Sequence, residues 1–152
     1  SLVAALVTGR NDGWWNGTSG ITSSSAAADV AVGVDRAVGW LDNGDGSVSF
    51  AYAAPGDTNL DGLVDSLDNA NVLAGGKFDE LSPASWIDGD FNYDGLVDIL
   101  DMASFLSTGL FDAGYYNQPP ALLAGVTAVP EPAGLAALGF ALVMAAALGR
   151  RR

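Results

Sequence analysis

The sequence predicts a small α + β protein with a short β-rich N-terminal segment, a duplicated loop–helix module and a single C-terminal transmembrane helix. Three observations lead to this fold class. Runs rich in β-branched and aromatic residues occupy the first third of the chain, a repeat fills the middle, and an uncharged apolar run ends before three arginines. The expected boundaries are 1–54 for the β-rich segment, 55–112 for the module, 113–128 for a linker and 129–152 for the tail.

The composition excludes several classes of chemistry. The 152 residues contain neither histidine nor cysteine, which excludes disulfides, zinc sites built on His or Cys, thiol nucleophiles and Ser-His triads. The net charge of −12 is concentrated in 55–112, where twelve acidic residues against Lys77 alone give −11. Such a surface repels phosphate backbones, so nucleic acid is not expected as a partner, whereas a cation is.

The N-terminal segment has strand-like runs at 1–8 (SLVAALVT) and 47–53 (SVSFAYA). The residues DNGDG at 42–46 predict a hairpin turn before the second run, because Asn and Gly accept positive φ. A Ser/Thr/Gly loop at 16–25 is expected to cap a short helix at 26–28. Since the chain begins at Ser1, we expect it to be the C-terminal end of a larger exported bacterial protein, with 1–54 closing an upstream domain.

The middle of the chain repeats itself with a period of 33 residues. Residues 57–79 and 90–112 align with 14 identities in 23 positions. Each copy matches the pattern D-x-N-x-D-G of a calcium loop, in which oxygens come from positions 1, 3, 5, 7, 9 and 12 and glycine occupies position 6. The predicted ligands are Asp57, Asn59, Asp61, the Leu63 carbonyl, Asp65 and Asp68 in the first copy, and Asp90, Asn92, Asp94, the Leu96 carbonyl, Asp98 and Asp101 in the second.

This ligand set predicts two Ca²⁺ ions, one in each loop. All-oxygen ligands without nitrogen or sulfur suit hard cations, and the number of ligands favours calcium over magnesium. Four carboxylates in one loop repel one another unless a cation neutralises them, so metal binding is expected to be coupled to folding. The alternative is a pair of solvated Asp/Gly turns, which the complete second copy disfavours.

The residues around the loops indicate a loop–helix unit. Pro55-Gly56 rules out a helix running into the first loop, whereas helices are predicted after the loops at 68–76 and 101–110, with apolar residues on one face. Duplicated units of this kind resemble a type I dockerin, a module with EF-hand-like loops.

That resemblance implies a calcium-dependent module that binds a cohesin-like protein, as in assemblies that degrade polysaccharides. It places partner contacts at loop positions 10 and 11 and further along the helix, and a calcium-rigidified spacer without a partner is the alternative. The corresponding residues are Ser66, Leu67, Ile99 and Leu100.

The tail combines a short motif, an apolar run and a basic end. The run at 133–149 would span roughly 26 Å as a helix, and the arginines after it predict a cytoplasmic C-terminus. The order of these parts resembles a PEP-CTERM sorting signal, which implies recognition by an exosortase at the inner membrane and a final location at the cell surface or outside the cell. An ordinary membrane anchor is the alternative. The signal residues are Val129, Pro130, Glu131, Pro132, Arg150, Arg151 and Arg152.

No catalytic activity is predicted for the chain itself. A glycoside hydrolase needs two carboxylates facing each other across a cleft, and eight of the eighteen acidic residues are already assigned to calcium. The alternative is that the chain is the tail of a glycoside hydrolase, or of another polysaccharide-degrading enzyme, whose catalytic domain lies upstream.

Overall fold

A computed structural model describes residues 1–117, in which four α-helices and one two-stranded sheet occur. A single 3₁₀ turn, Trp86–Asp88, precedes the second copy of the repeat. The elements in chain order are α1 (Leu2–Arg10), α2 (Ser24–Val30), β1 (Ala37–Asp42), β2 (Val48–Ala53), α3 (Ser66–Gly75) and α4 (Ile99–Ser107).

The predicted β-rich N-terminal segment is wrong, because the chain begins with two helices. The run expected to be a strand at 1–8 lies in α1, where the Ser1 side chain caps the first turn by accepting from Ala4 N. Asn11 ends the helix in the left-handed conformation. Alanine and leucine favour a helix, and together with these caps they outweigh the β preference of the two valines.

The sheet of the N-terminal segment is a hairpin. β1 and β2 pair in antiparallel register, from Ala37 opposite Ala53 to Asp42 opposite Val48. Between them, the Asp42 side chain accepts from Gly44 N at 2.8 Å, which closes the turn. The inner end of the hairpin is buried and its tip is exposed, so Ala37, Val38 and Ala53 lie in the core while Trp40 and Tyr52 pack against it half-buried.

The helices of the repeat begin two residues earlier than the sequence predicts. Asp65 accepts from Leu67 N and thereby caps α3, and Asp98 accepts from Leu100 N and caps α4, both at 2.7 Å. Because these caps lie at loop position 9, each helix starts inside the twelve-residue loop.

The predicted transmembrane helix at 133–149 lies outside the described residues. Within residues 1–117, none of the helices has the length and apolar character that crossing a membrane requires. The fold class is therefore corrected to a small α + β protein with two N-terminal helices, a hairpin and two loop–helix units.

The hydrophobic core joins the N-terminal segment to the repeat. Trp86 lies at its centre, stacked on Tyr93 at 5.8 Å and edge-on to Phe91 at 5.1 Å between ring centroids. The Tyr93 hydroxyl donates to the Val38 carbonyl of β1 at 2.8 Å. Trp15 completes the cluster and packs edge-on against Tyr93. Both loops are therefore attached to one core.

The two copies of the repeat pack against each other reciprocally. Asp79 N, at the end of the first copy, donates to the Val97 carbonyl of the second loop at 2.8 Å. Asp112 N, at the equivalent place in the second copy, donates to the Val64 carbonyl of the first loop at 2.9 Å. Val64 and Val97 are buried, so position 8 of each loop anchors the end of the other copy.

Candidate metal centre

Both loops have the same backbone conformation. The residue at position 4 is left-handed in each copy, with φ of 63° at Leu60 and 66° at Tyr93. The glycine at position 6 is also left-handed, with φ of 86° at Gly62 and 87° at Gly95, a conformation that is costly for any residue with a Cβ. The duplicated sequence therefore forms a duplicated loop.

The carboxylate at position 1 of each loop is buried and held by the turn glycine. Gly62 N donates to Asp57 Oδ2 and Gly95 N donates to Asp90 Oδ2, both at 3.0 Å. The two aspartates differ in the hydrogen bonding of their other carboxylate oxygen, Oδ1. Asp57 Oδ1 accepts from Asp61 N at 3.2 Å, whereas Asp90 Oδ1 is buried and has no hydrogen-bond partner within residues 1–117. Burying a carboxylate oxygen without a hydrogen-bond partner is energetically costly.

The carboxylate at position 12 closes each loop and belongs to the helix that follows. Asp68 Oδ1 accepts from Thr58 N at 2.8 Å, and Asp68 Oδ2 accepts from Asp65 N at 2.9 Å. Asp101 makes the same two bonds to the equivalent amides of the second copy, each at 2.9 Å. Both carboxylates are buried. The aspartate at position 12 therefore ties the two ends of the loop together, and it is also the third helical residue of a capping box.

Positions 3 and 5 form the more exposed side of each loop. Asn59 Oδ1 accepts from Asp61 N at 3.0 Å, and Asn92 Oδ1 accepts from Asp94 N at 2.8 Å. Each asparagine also donates through Nδ2 to Oδ2 of the same aspartate, at 2.9 and 3.0 Å. The carboxylate at position 5 in turn accepts from the amide at position 7, at 2.9 Å in both copies. These side chains are thus pre-arranged by the loop amides.

Within residues 1–117, no basic side chain forms a salt bridge with the buried loop carboxylates. The ion pair between Lys77 and Asp88, at 2.8 Å, is the one salt bridge found in the described part of the chain. The four carboxylates at positions 1 and 12 are therefore desolvated without a cationic partner there, which is unfavourable for charged groups. They are Asp57, Asp68, Asp90 and Asp101.

Protonation is the alternative to a cation for these groups. Burial, together with the charges of Asp101 and Asp94, raises the pKa of Asp90 to about 7 although the hydrogen bond from the Gly95 amide lowers it. Burial also raises the pKa of Asp57. The charge of the position-12 aspartate contributes to the raised pKa of both position-1 aspartates, and a divalent cation would offset both this repulsion and the cost of burial.

The structure places the predicted ligands around each loop without joining them into a finished cage. No group of three or more carboxylates within residues 1–117 is arranged to hold a metal ion. Positions 1 and 12 are adjacent inside the loop, positions 3 and 5 are paired on its exposed side, and position 9 points a carboxylate oxygen at its helix N-terminus. The carbonyls at position 7, Leu63 and Leu96, accept no hydrogen bond from the described residues.

The predicted partner-binding residues lie at the starts of α3 and α4. All four are exposed, and Leu67, Ile99 and Leu100 have more than half of their surface in contact with solvent. Further along the helices, Leu73 and Leu106 are also exposed. The apolar face expected on these helices is therefore only partly used for packing.

A tyrosine that lies beyond the repeat in sequence contacts the first loop. The Tyr116 hydroxyl donates to Asp57 Oδ2 at 2.5 Å, although the two residues are 59 positions apart. Tyr116 lies beyond the aligned copies, so periodicity does not find it. The acidic partner was identified from the sequence, but the tyrosine requires the folded chain.

Comparisons with protein-family models, curated proteins and solved structures gave no match. The resemblances to a dockerin and to a PEP-CTERM signal therefore rest on the residues of this chain. The sorting-signal residues, from Val129 to Arg152, lie outside the described residues.

Proposed function

We propose that residues 57–112 are a non-catalytic calcium-binding module that holds two Ca²⁺ ions, one in each loop. The observation that carries the proposal is the buried Asp90 Oδ1, which lacks a hydrogen-bond partner among the described residues. It lies in a loop whose other copy has the same backbone and the same spacing of oxygens. A cation is the ligand that satisfies such an oxygen and neutralises its neighbours.

The chemistry of the loops supports calcium in particular. Each loop offers oxygen from four carboxylates, one amide and one main-chain carbonyl, and neither nitrogen nor sulfur ligands accompany them. Calcium accepts six to eight oxygens in flexible geometry, whereas magnesium requires a near-octahedral set. The twelve residues that would hold the two ions are those at positions 1, 3, 5, 7, 9 and 12 of the two copies.

Calorimetric titration of the chelator-treated full chain tests this proposal. We expect about two Ca²⁺ per chain and no comparable response to Mg²⁺. The double variant Asp57→Asn/Asp90→Asn should lose most of the heat. Its matched control, Asp79→Asn/Glu80→Gln, removes two exposed charges outside the loops and should bind as the wild type does. If the loop variant binds calcium as well as this control does, the proposal is rejected.

We infer a second role in protein attachment from the exposed leucines of α3 and α4. Several apolar side chains protrude where the dockerin resemblance places a cohesin-like partner, and the exposed fraction reaches 80% at Leu73. The experiment is a pull-down with a cohesin domain, in calcium and in EDTA, using the full chain and Leu67→Asp/Leu100→Asp. Capture should require calcium and be lost in the variant. Equal capture in both buffers would argue against calcium-dependent recognition, and no capture in either buffer would support a rigid spacer.

The proposed location of the module is outside the inner membrane, and it is supported by the residues of the tail. The motif Val129 to Pro132 followed by three arginines resembles a signal that is read by an exosortase. Replacing Pro130 and Pro132 by alanine should prevent processing in a host that contains such an enzyme. Unchanged processing, measured by the mass of the chain, would contradict this part of the proposal.

A further inference from the structure

The residues that follow α4 cross the first calcium loop. We call residues 112–117 the strap. Besides the bond from Asp112 to Val64, Tyr116 N donates to the Gly62 carbonyl at 3.1 Å. Asn117 lies directly over the turn, since a Cβ on Gly62 would come within 2.5 Å of its side-chain amide. The strap therefore covers the loop at positions 6 and 8.

The second loop is covered in the same way by the first copy, but without a tyrosine. Asp79 N bonds the Val97 carbonyl, and Ala84 N donates to the Gly95 carbonyl at 2.8 Å. Ala84 thus makes the backbone bond that Tyr116 makes on the first loop, and it has no hydroxyl to offer. The phenol that bonds Asp57 is thus one of the differences between the two loops, alongside the bond from Asp61 N to Asp57 Oδ1.

The hydroxyl of Tyr116 contacts the carboxylate oxygen of Asp57 that the turn glycine also holds. In both loops Oδ2 of the first aspartate accepts from the position-6 glycine, and in the second loop Oδ1 is the oxygen without a partner among the described residues. Tyr116 adds a bond of 2.5 Å to Asp57 Oδ2. It therefore fixes the carboxylate through Oδ2, while within residues 1–117 Oδ1 accepts only from Asp61 N, at 3.2 Å.

Tyr116 is itself held by the N-terminal segment. The guanidinium of Arg36 lies 5.2 Å from the centre of the Tyr116 ring, and Tyr52 of β2 packs beside it at 6.3 Å between ring centroids. Arg36 is buried, so the cation–π contact is shielded from water and fixes the ring. Because the fixed Tyr116 hydroxyl holds the Asp57 carboxylate in place, this side chain loses less conformational entropy when the ion binds.

We propose that Tyr116 is a positioning residue for the first calcium site and makes it the tighter of the two. The proposal rests on the proposed function, because it presumes that both loops bind Ca²⁺. It goes further by making the sites unequal and by including the strap, which leads out of the module toward the C-terminal tail, in the first site. Calcium at that site consequently orders the exit of the chain from the module.

A calcium titration followed by ¹H–¹⁵N NMR on the full chain tests the proposal site by site. The Gly62 and Gly95 amides each donate to the first aspartate of one loop, so each reports its own ion. In the wild type, Gly62 should respond at lower calcium than Gly95. In Tyr116→Phe, the Gly62 midpoint should rise about tenfold, as for loss of an outer partner, and the Gly95 midpoint should stay unchanged.

The matched control is Tyr115→Phe, which alters the neighbouring exposed tyrosine. It should leave both midpoints at their wild-type values. Phenylalanine at 116 keeps the ring against Arg36, so a melt in EDTA should show that the fold is retained. An unchanged or lowered Gly62 midpoint, or equal weakening at both sites, overturns the role of Tyr116 while leaving the calcium proposal intact. No response of either amide in the wild type overturns both proposals.

Discussion

At the scale of single residues, the proposed calcium site gives Asp90 two expected effects, because its charge should destabilise the metal-free protein and hold the ion in the bound one. Its Oδ1 is buried without a partner in the described residues, and its charge is repelled by Asp101 and Asp94. In Asp90→Asn the charge disappears while the acceptor for Gly95 N is kept. We therefore expect a higher melting temperature than wild type in EDTA, and about one Ca²⁺ per chain instead of two. A lower melting temperature in EDTA, measured by circular dichroism, would contradict this account of the site.

The raised pKa of Asp90 also gives the module a pH dependence with a definite sign. Its pKa is about 7 in the folded chain and 3.8 as the ordinary value, so between these values the folded state binds a proton that the unfolded state does not. The metal-free protein should consequently lose stability as the pH rises from 4 toward 7. Because Ca²⁺ and the proton compete for this carboxylate, the apparent calcium affinity should rise over the same range.

Thermal melts at pH 5 and pH 8, each with EDTA and with calcium, measure both effects. The gain in melting temperature from calcium should be larger at pH 8. Asp90→Asn should weaken the pH dependence of the EDTA melts, to which the raised pKa values of Asp57 and Asp101 also contribute. An equal calcium gain at both pH values would contradict the assignment.

At the scale of elements, glycines one residue before each loop allow the two copies to pack. Gly56 has φ of 105°, and a Cβ there would lie 2.4 Å from the Phe105 ring of α4. Gly89, at the equivalent position of the second copy, has φ of 110° and faces Val72 of α3 at 3.2 Å. Val72 and Phe105 are themselves equivalent in the repeat, so each helix covers the entry of the other loop.

Gly56→Ala should therefore destabilise the protein by more than the cost of a left-handed backbone at residue 56. The matched control is Gly46→Ala in the hairpin turn, which has φ of 87° and no atom within 4 Å of the added Cβ. The control should cost about 1 kcal/mol for the left-handed backbone, and Gly56→Ala about 1–3 kcal/mol more for the clash with Phe105. Chemical denaturation in saturating calcium measures the difference, and equal losses would refute the packing between copies.

The same elements show how far the sequence predicts the structure. The loops and the helices after them follow from a local pattern, because the ligand spacing, the turn glycine and the capping aspartate all lie within twelve residues. The sequence predicts a strand where α1 lies, because its valines favour a strand. The helix cap from the Ser1 side chain opposes that preference. The contacts of Tyr116 with Asp57 and of Tyr93 with Val38 join residues more than fifty positions apart. Only the packed chain brings such pairs together.

At the scale of the whole molecule, the two acidic loops and the N-terminal segment share one core. The Trp86 indole donates to the Asp57 carbonyl at 2.6 Å, at the first proposed ligand of the first loop. The same tryptophan packs with Tyr93, whose hydroxyl bonds β1. Loss of calcium should thus destabilise residues 1–54 as well, although they contain none of the proposed ligands. Residues 1–117 should unfold as one cooperative unit.

The prediction is that calcium raises the melting temperature of both halves together. Saturation at a hundred times the dissociation constant stabilises by about 2.7 kcal/mol for each site, and the gain should appear equally at probes in the N-terminal segment and in the repeat. Resolved amide signals of Leu6 and Ala53 can be compared with those of Val64 and Val97 during heating in EDTA and in calcium. Coincident loss in each buffer, at a higher temperature in calcium, is expected. If the N-terminal signals melt at a calcium-independent temperature, the shared core does not couple the two halves, and the metal stabilises the repeat alone.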